Sequence, residues 1–244
     1  MSAGPLPFSA ILAERTETAR LSFNQCWAQL LAADAVRERF IAYMVETFHY
    51  VRFTCPLLQR FEERLRPEIP ELAGYLAHHR EEEQNHDLML LSDLACLGLS
   101  EAAVRASTPR RETIALIGSQ LYAIDHAPQR LGHLGYGYAL ESSPGAPEAA
   151  DSLAARLDLP AEALSTYRLH CELDPGHVRE LEETIDRFVT APGEQEAVLE
   201  NMEMTLRFLS ELALSCALDP AEEIEAQLSR LAAGGAEPAA QPSA

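Results

Sequence analysis

Lysine is missing from this chain of 244 residues, so its 19 basic residues are all arginine. Without a lysine amine, Schiff-base chemistry through that group is excluded. Basic residues are scarce beside the 38 acidic ones, and the formal net charge is −19. Binding phosphate backbones needs basic patches, which excludes nucleic acid as a partner. An anionic membrane surface is excluded on the same ground. No apolar run is long enough to span a bilayer. The N-terminus MSAGPLPFSA has neither the basic start nor the apolar run of a signal peptide. Cysteine is sparse too. Cys26, Cys55, Cys96, Cys171 and Cys216 are scattered, odd in number and form no CxxC pair. That pattern argues against structural zinc and a disulfide framework. It fits free thiols in a reducing compartment, so a cytoplasmic location is expected.

No stretch alternates apolar and polar residues with a period of two, so strands are not expected. Helical spacing dominates instead. The pattern predicts helices over about 8–31, 34–54, from Pro70 through Leu97 with Gly98 as C-cap, from Pro109 to Asp125, 128–142, 161–188 and 193–216. The second is expected to stop near Pro56. One all-α domain over residues 1–230 follows, with a small, Pro/Gly-rich tail at 231–244 expected to be disordered.

The strongest chemical signal is His170-Cys-Glu-Leu-Asp174-Pro-Gly-His177. A helix turns 100° per residue, which puts His170, Asp174 and His177 within an arc of roughly 60°. Two imidazoles and a carboxylate on one face suit iron(II) or a similar ion. Pro175 has no N–H to offer the carbonyl of Cys171, and Gly176 weakens the helix further. A helix broken between two candidate ligands is therefore expected there. A second signal is Glu83-Gln-Asn-His86, an ExxH spacing used at carboxylate-bridged di-iron sites; Glu82 fits nearly as well as Glu83. The third is Glu46-Thr-Phe-His49, in an apolar context where a carboxylate is costly to bury unless paired or metal-bound. His49 is a ligand, a partner of one, or a packed ring. The fourth is Glu141, at the end of a segment holding Gly132, Gly135 and Gly137. Each glycine costs about 1 kcal/mol of helix propensity relative to alanine. Such glycines permit close packing or leave space for a small molecule. Arg207, alone on an otherwise apolar helix, is either a bidentate clamp for a substrate carboxylate or a surface arginine.

The order Glu, ExxH, Glu, HxxxDxxH resembles the haem-oxygenase-like dimetal oxidases, iron-containing redox enzymes. EEQNHDLMLLSDLACLGL, GYGYALES and LHCELDPGHVRELEE are similar to blocks of that family, and the likeness runs over roughly residues 35–215. It implies a haem-oxygenase-like bundle of about seven helices that binds no haem. It implies two iron ions, with manganese able to replace one, held by Glu46, Glu83, His86, Glu141, His170, Asp174 and His177. It also implies O₂ as co-substrate, a small organic substrate such as an amino acid, fatty acid or amine, and a homodimer. Three other readings compete. A ferritin-like di-iron protein would place an ExxH pair last in the chain. A metal-free thiaminase II-like or quinone-cofactor-synthase-like enzyme on the same fold would use no ion. An acidic helical interaction protein would not need the histidines.

Overall fold

In the computed structural model, described for residues 6–142 and 147–234, the described secondary structure is helical throughout. The long helix α1 (Phe8–Ala32) lies along α11 (Pro192–Leu218). Helix α11 buries Val198, Met202, Leu206, Leu209, Ala213 and Cys216, a repeat of three to four residues that makes one continuous apolar stripe. Around it pack α2 (Val36–Val51), α7 (Arg111–Asp125) and α8 (Leu134–Glu141). Each fully buried leucine in this stripe contributes roughly 1.5–3 kcal/mol.

Helix α3 (Thr54–Leu65) pairs with α4 (Pro70–Glu82), and α5 (His86–Cys96) packs on α2. Beyond these come α6 (Glu101–Ala106), α9 (Pro147–Leu157), a 3-10 turn at Ala161–Leu164, α10 (Ser165–Phe188) and α12 (Ala221–Ala232). The segments outnumber the expected seven because one expected rod is split in two and α3, α6, α9 and α12 lie where no helix was expected. Pro56 does not end a helix. It sits in the first turn of α3, where a missing N–H costs nothing. The predicted third helix is split at 83–85, where Asn85 adopts φ 70°, a left-handed value that asparagine tolerates. Gly98 caps α5 with φ 84° as expected. Helix α10 is not broken: it runs through Pro175 and Gly176 without interruption. Helix α12 extends through Ala232 into the region expected to be a tail, while residues 235–244 lie outside those described.

Two polar devices fix the frame. Arg39 is buried at the start of α2. Its guanidinium donates to the carbonyls of Cys216 and Asp219 at 2.9 and 2.7 Å, capping the C-terminal end of α11 where the helix dipole favours a cation. At the other end of α11, the Glu194 carboxylate accepts from the N–H groups of Arg130 and Leu131 at 3.0 and 2.8 Å. That bond holds the approach to α8.

The glycines before Glu141 separate into two kinds. A methyl at Gly135 would stand 2.1 Å from the carbonyl oxygen of Val198 and 2.8 Å from the amide nitrogen of Met202. Helix α8 therefore touches the backbone of α11 directly, which only glycine allows. A methyl at Gly137 would meet only a Leu181 methyl group at 3.6 Å, an ordinary contact.

Candidate metal centre

Four helices and one joint converge on one buried spot. Helix α4 brings His79, the α4–α5 joint brings Glu83, α5 brings His86, α8 brings Glu141, and α10 brings His170, Asp174 and His177. Their side chains form three overlapping clusters: Glu83 with His86 and His170, Glu141 with Asp174 and His177, and His79 with Glu83 and His177. In each cluster one donor atom per residue lies within 4.8 Å of the others. Glu83 and His177 belong to two clusters each, so the three form a chain rather than separate sites.

The contacts are specific. His86 Nδ1 is 2.9 Å from Glu83 Oε2, and His177 Nδ1 is 3.1 Å from Glu141 Oε2. His79 Nε2 stands 3.5 Å from the other Glu141 oxygen. The rings of His79 and His177 meet edge to face at 4.9 Å, and those of His86 and His170 at 4.8 Å. His170 is oriented from behind. Its Nδ1 lies 2.9 Å from the Thr166 carbonyl, which can only accept, so Nδ1 carries the proton and Nε2 keeps its lone pair. Thr166 is fixed in turn: its N–H donates to Asp93 Oδ2 at 3.0 Å, and the Ser165 hydroxyl donates to Asp93 Oδ1 at 2.5 Å. Asp93 is buried on α5, so it latches the start of α10 to the helix that carries His86.

Glu83, Glu141 and Asp174 are buried within this small volume, and among the described residues no arginine hydrogen-bonds any of them. Buried like charges cannot all persist without a counter-charge. Burial, then the nearby Glu141, lifts the Asp174 carboxyl to about 8. Burial also pushes Glu141 upward, but hydrogen bonds from His177 and His79 outweigh it and hold that carboxyl at about 2. His177 is raised to about 9, first by its bond to Glu141. Glu83 Oε1 and Asp174 Oδ1 are buried with no hydrogen-bond partner. Orphaned carboxyl oxygens among imidazoles are what a divalent cation would satisfy, and a mixed carboxylate and imidazole set suits iron or manganese.

The other candidate residues lie elsewhere. Glu46 is fully buried; its Oε2 accepts from the Arg110 N–H at 3.0 Å and the Thr113 hydroxyl at 2.6 Å, its Oε1 has no hydrogen-bond partner, and it joins none of the three clusters. His49 Nε2 lies 2.8 Å from the Ser107 hydroxyl, whose own proton goes to the Val104 carbonyl; the ring donates and is a packed histidine. Burial lowers it to about 4, so it is neutral. Arg207 is 65% exposed, lies over the Phe208 ring and stands 3.7 Å from Glu211. It is a surface arginine. Of the neighbouring acids, Glu83 joins two clusters, whereas Glu82 stands at the rim, 3.7 Å from His177 Nε2. The sequence reading missed His79. Its signal was the four-residue spacing to Glu83, one helical turn away on the same face.

A sequence model of the iron-containing redox enzyme family matches residues 41–210, which span every cluster residue. The chain belongs to the iron-containing redox enzymes. No curated protein matches this iron-containing redox enzyme. Among solved structures, a domain of unknown function with a heme oxygenase-like fold from Shewanella denitrificans OS217 aligns with a TM-score of 0.70. The two are 20% identical, and the alignment covers 93% of this chain and 94% of the other. The likeness is one of fold: an all-α, haem-oxygenase-like architecture. No helix among the described residues of this family member is long and apolar enough to cross a membrane.

Proposed function

We propose that this iron-containing redox enzyme is a non-haem di-iron oxidase or oxygenase that uses O₂ to oxidise a small organic substrate. The observation that carries the reading is the shared position of Glu83. It is a buried carboxylate with one orphaned oxygen, and it joins a Glu83–His86–His170 cluster to a cluster with His79 and His177. One ion would be held by Glu83, His86 and His170. A second would be held by Glu141, Asp174 and His177, with His79 beside it. Manganese suits the second position as well as iron does. Two ferrous ions bound there would supply the electrons and open coordination positions that O₂ reduction requires.

The protein's part follows from its own groups. The Thr166 carbonyl fixes the tautomer of His170, and the Asp93 latch sets its height on α5. The bond between Glu141 and His177 sets the second cluster in the same way. Leu90, Leu91 and Leu94 on the buried face of α5, together with Leu181 on α10, keep bulk water from the histidines. A cytoplasmic homodimer is part of this reading.

Metal analysis after anaerobic iron(II) loading tests it. About two irons per chain are expected, with at least one lost in His86→Ala and in His177→Ala. Oxygen consumption by the loaded protein should fall in both variants. A chain that holds no iron, or holds it equally without either histidine, would end the proposal.

A further inference from the structure

The last turn of α4 and the residue after it hold two overlapping pairs of histidine and glutamate. His78 and Glu82 are four residues apart, and so are His79 and Glu83. Residues four apart share a helix face, and an offset of one residue turns that face by about 100°. The inner pair, His79 and Glu83, is buried and belongs to the metal clusters. The outer pair meets solvent: the side chain of His78 is 62% exposed and that of Glu82 is 37% exposed. The metal centre accounts for the inner pair and leaves the outer one without a role.

Glu82 connects the two. Its Oε1 stands 3.6 Å from His78 Nε2, and its Oε2 stands 3.7 Å from His177 Nε2. The His177 ring likewise presents one nitrogen outward and one inward. Its Nε2 faces Glu82, while its Nδ1 lies 3.1 Å from Glu141 Oε2 and 4.0 Å from Glu83 Oε1. A file of donor atoms therefore runs from exposed His78 through Glu82 and His177 to the buried carboxylates, and no gap between neighbouring side chains exceeds 4.0 Å. His177 is only 6% exposed, so an ion arriving from water meets the outer pair first.

The charge along this file has one sign. Glu82, Glu180 and Glu141 all act on the Tyr75 hydroxyl, and the Tyr75 ring lies parallel to that of His79 at 6.1 Å. Glu180 is exposed, so carboxylates extend from the mouth to the interior. A divalent ion cannot enter a buried site stripped of its waters without great cost. It has to exchange them for protein donors in steps, and a series of donors that passes from exposed to buried provides those steps. Negative charge at the mouth also raises the local concentration of cations and their rate of entry. At the inner end, Glu83 Oε1 and Asp174 Oδ1 are buried without a hydrogen-bond partner, so the file leads to unsatisfied carboxyl oxygens.

We propose that His78 and Glu82 form an entry station for divalent metal ions: an ion is captured there from water, passes to His177 and is delivered to the buried clusters. The middle cluster of His79, Glu83 and His177 shares a member with each of the other two, so one entrance serves both ion positions. The inference rests on the metal centre proposed above, and adds to it a pair of residues that load the ions without holding them.

Stopped-flow absorption of the metal-free full chain mixed with cobalt(II) tests it, at concentrations where the parent rate is proportional to cobalt. Glu82→Gln should slow uptake by roughly five- to tenfold and His78→Gln by roughly two- to fivefold, while both reach the parent's cobalt stoichiometry at equilibrium. Glu81→Gln removes the same charge from an exposed neighbour outside the file, and its rate should stay within about twofold of the parent. Uptake at the parent rate by Glu82→Gln would overturn the proposal. So would equal slowing by Glu81→Gln, which would reduce the effect to bulk charge. Loss of bound cobalt at equilibrium in Glu82→Gln would overturn it as well, by making Glu82 a resident ligand. These three results leave the metal centre standing, because the parent's end point measures it; a parent chain that binds no cobalt would remove both.

Discussion

Replacing Gly135 by alanine puts two effects in opposition, and the structure says which one wins. Alanine improves helix propensity by about 1 kcal/mol. The new methyl, however, would sit 2.1 Å from the Val198 carbonyl oxygen and 2.8 Å from the Met202 nitrogen. Normal contact between carbon and oxygen needs over 1 Å more, and both obstacles are backbone. No rotamer change relieves the clash, so α8 must lift away from α11. Overpacking of this kind costs about 1–3 kcal/mol, with more for rigid obstacles. Lifting α8 also strips contacts from Leu134, Tyr136 and Tyr138, all buried in the core. A net loss of about 2–4 kcal/mol is expected, which lowers Tm by roughly 4–15 °C for a chain of this size. Because Glu141 rides on the same helix, its 3.1 Å bond to His177 should fail as well, weakening metal binding. Thermal melts of Gly135→Ala and Gly137→Ala side by side, with iron titration, check both parts. Gly135→Ala melting at or above the parent temperature would refute the claim that α8 is seated on backbone.

Glu46→Gln should leave iron stoichiometry intact, since its amide oxygen can still accept from Arg110 and Thr113, whereas Glu83→Gln should lose at least one iron; metal analysis of the two decides whether Glu46 is a ligand. Asp93→Ala removes the acceptor of both the Thr166 N–H and the Ser165 hydroxyl and is expected to cost about 1.5–3 kcal/mol in urea unfolding, with weaker iron binding through His170; unfolding identical to the parent would mean that the latch carries nothing. Acid should destabilise the fold through His133 and His49. Burial depresses their folded values to about 3 and about 4, against 6.5 unfolded. Between pH 6.5 and those values the unfolded chain takes up protons that the native one refuses, so stability falls as pH drops through that window. The upper bound is about 1.4 kcal/mol per pH unit for each ring. Unfolding titrations of His133→Gln/His49→Gln should show a shallower dependence from pH 6.5 to 4.5, and an unchanged slope would discard the argument.

Much of the fold was legible because long amphipathic rods announce themselves: α1, α7, α10 and α11 lie within a residue or two of their predicted bounds, once the 3-10 turn before α10 is set apart. The short helices α3, α6, α9 and α12 were not, since about three turns or fewer give too little periodicity to stand out. Pro56 and Pro175 misled in opposite positions. One sits in a first turn and ends nothing, and the other is carried inside a helix packed on its neighbours. The clusters were legible where ligands share one rod, as His170, Asp174 and His177 do. The surroundings of Glu46 and Arg207 were not legible, because a carboxylate in an apolar segment, or an arginine on an apolar helix, says that a partner or an exit to solvent is needed without saying which. One Glu46 oxygen found Arg110 and Thr113, distant in sequence, and Arg207 lies exposed beside Glu211.

The left-handed joint at Asn85 has a consequence for how this site tolerates insertions and deletions. In α10 the ligands ride on one continuous rod, so adding a single residue between His170 and His177 would swing the second about 100° away from the first. Between Glu83 and His86 lies a joint instead. Extra or missing residues there can be absorbed by re-angling two separate helices, neither of which loses its own phase. Length variation among related chains should therefore gather at 83–85 and be absent from 170–177.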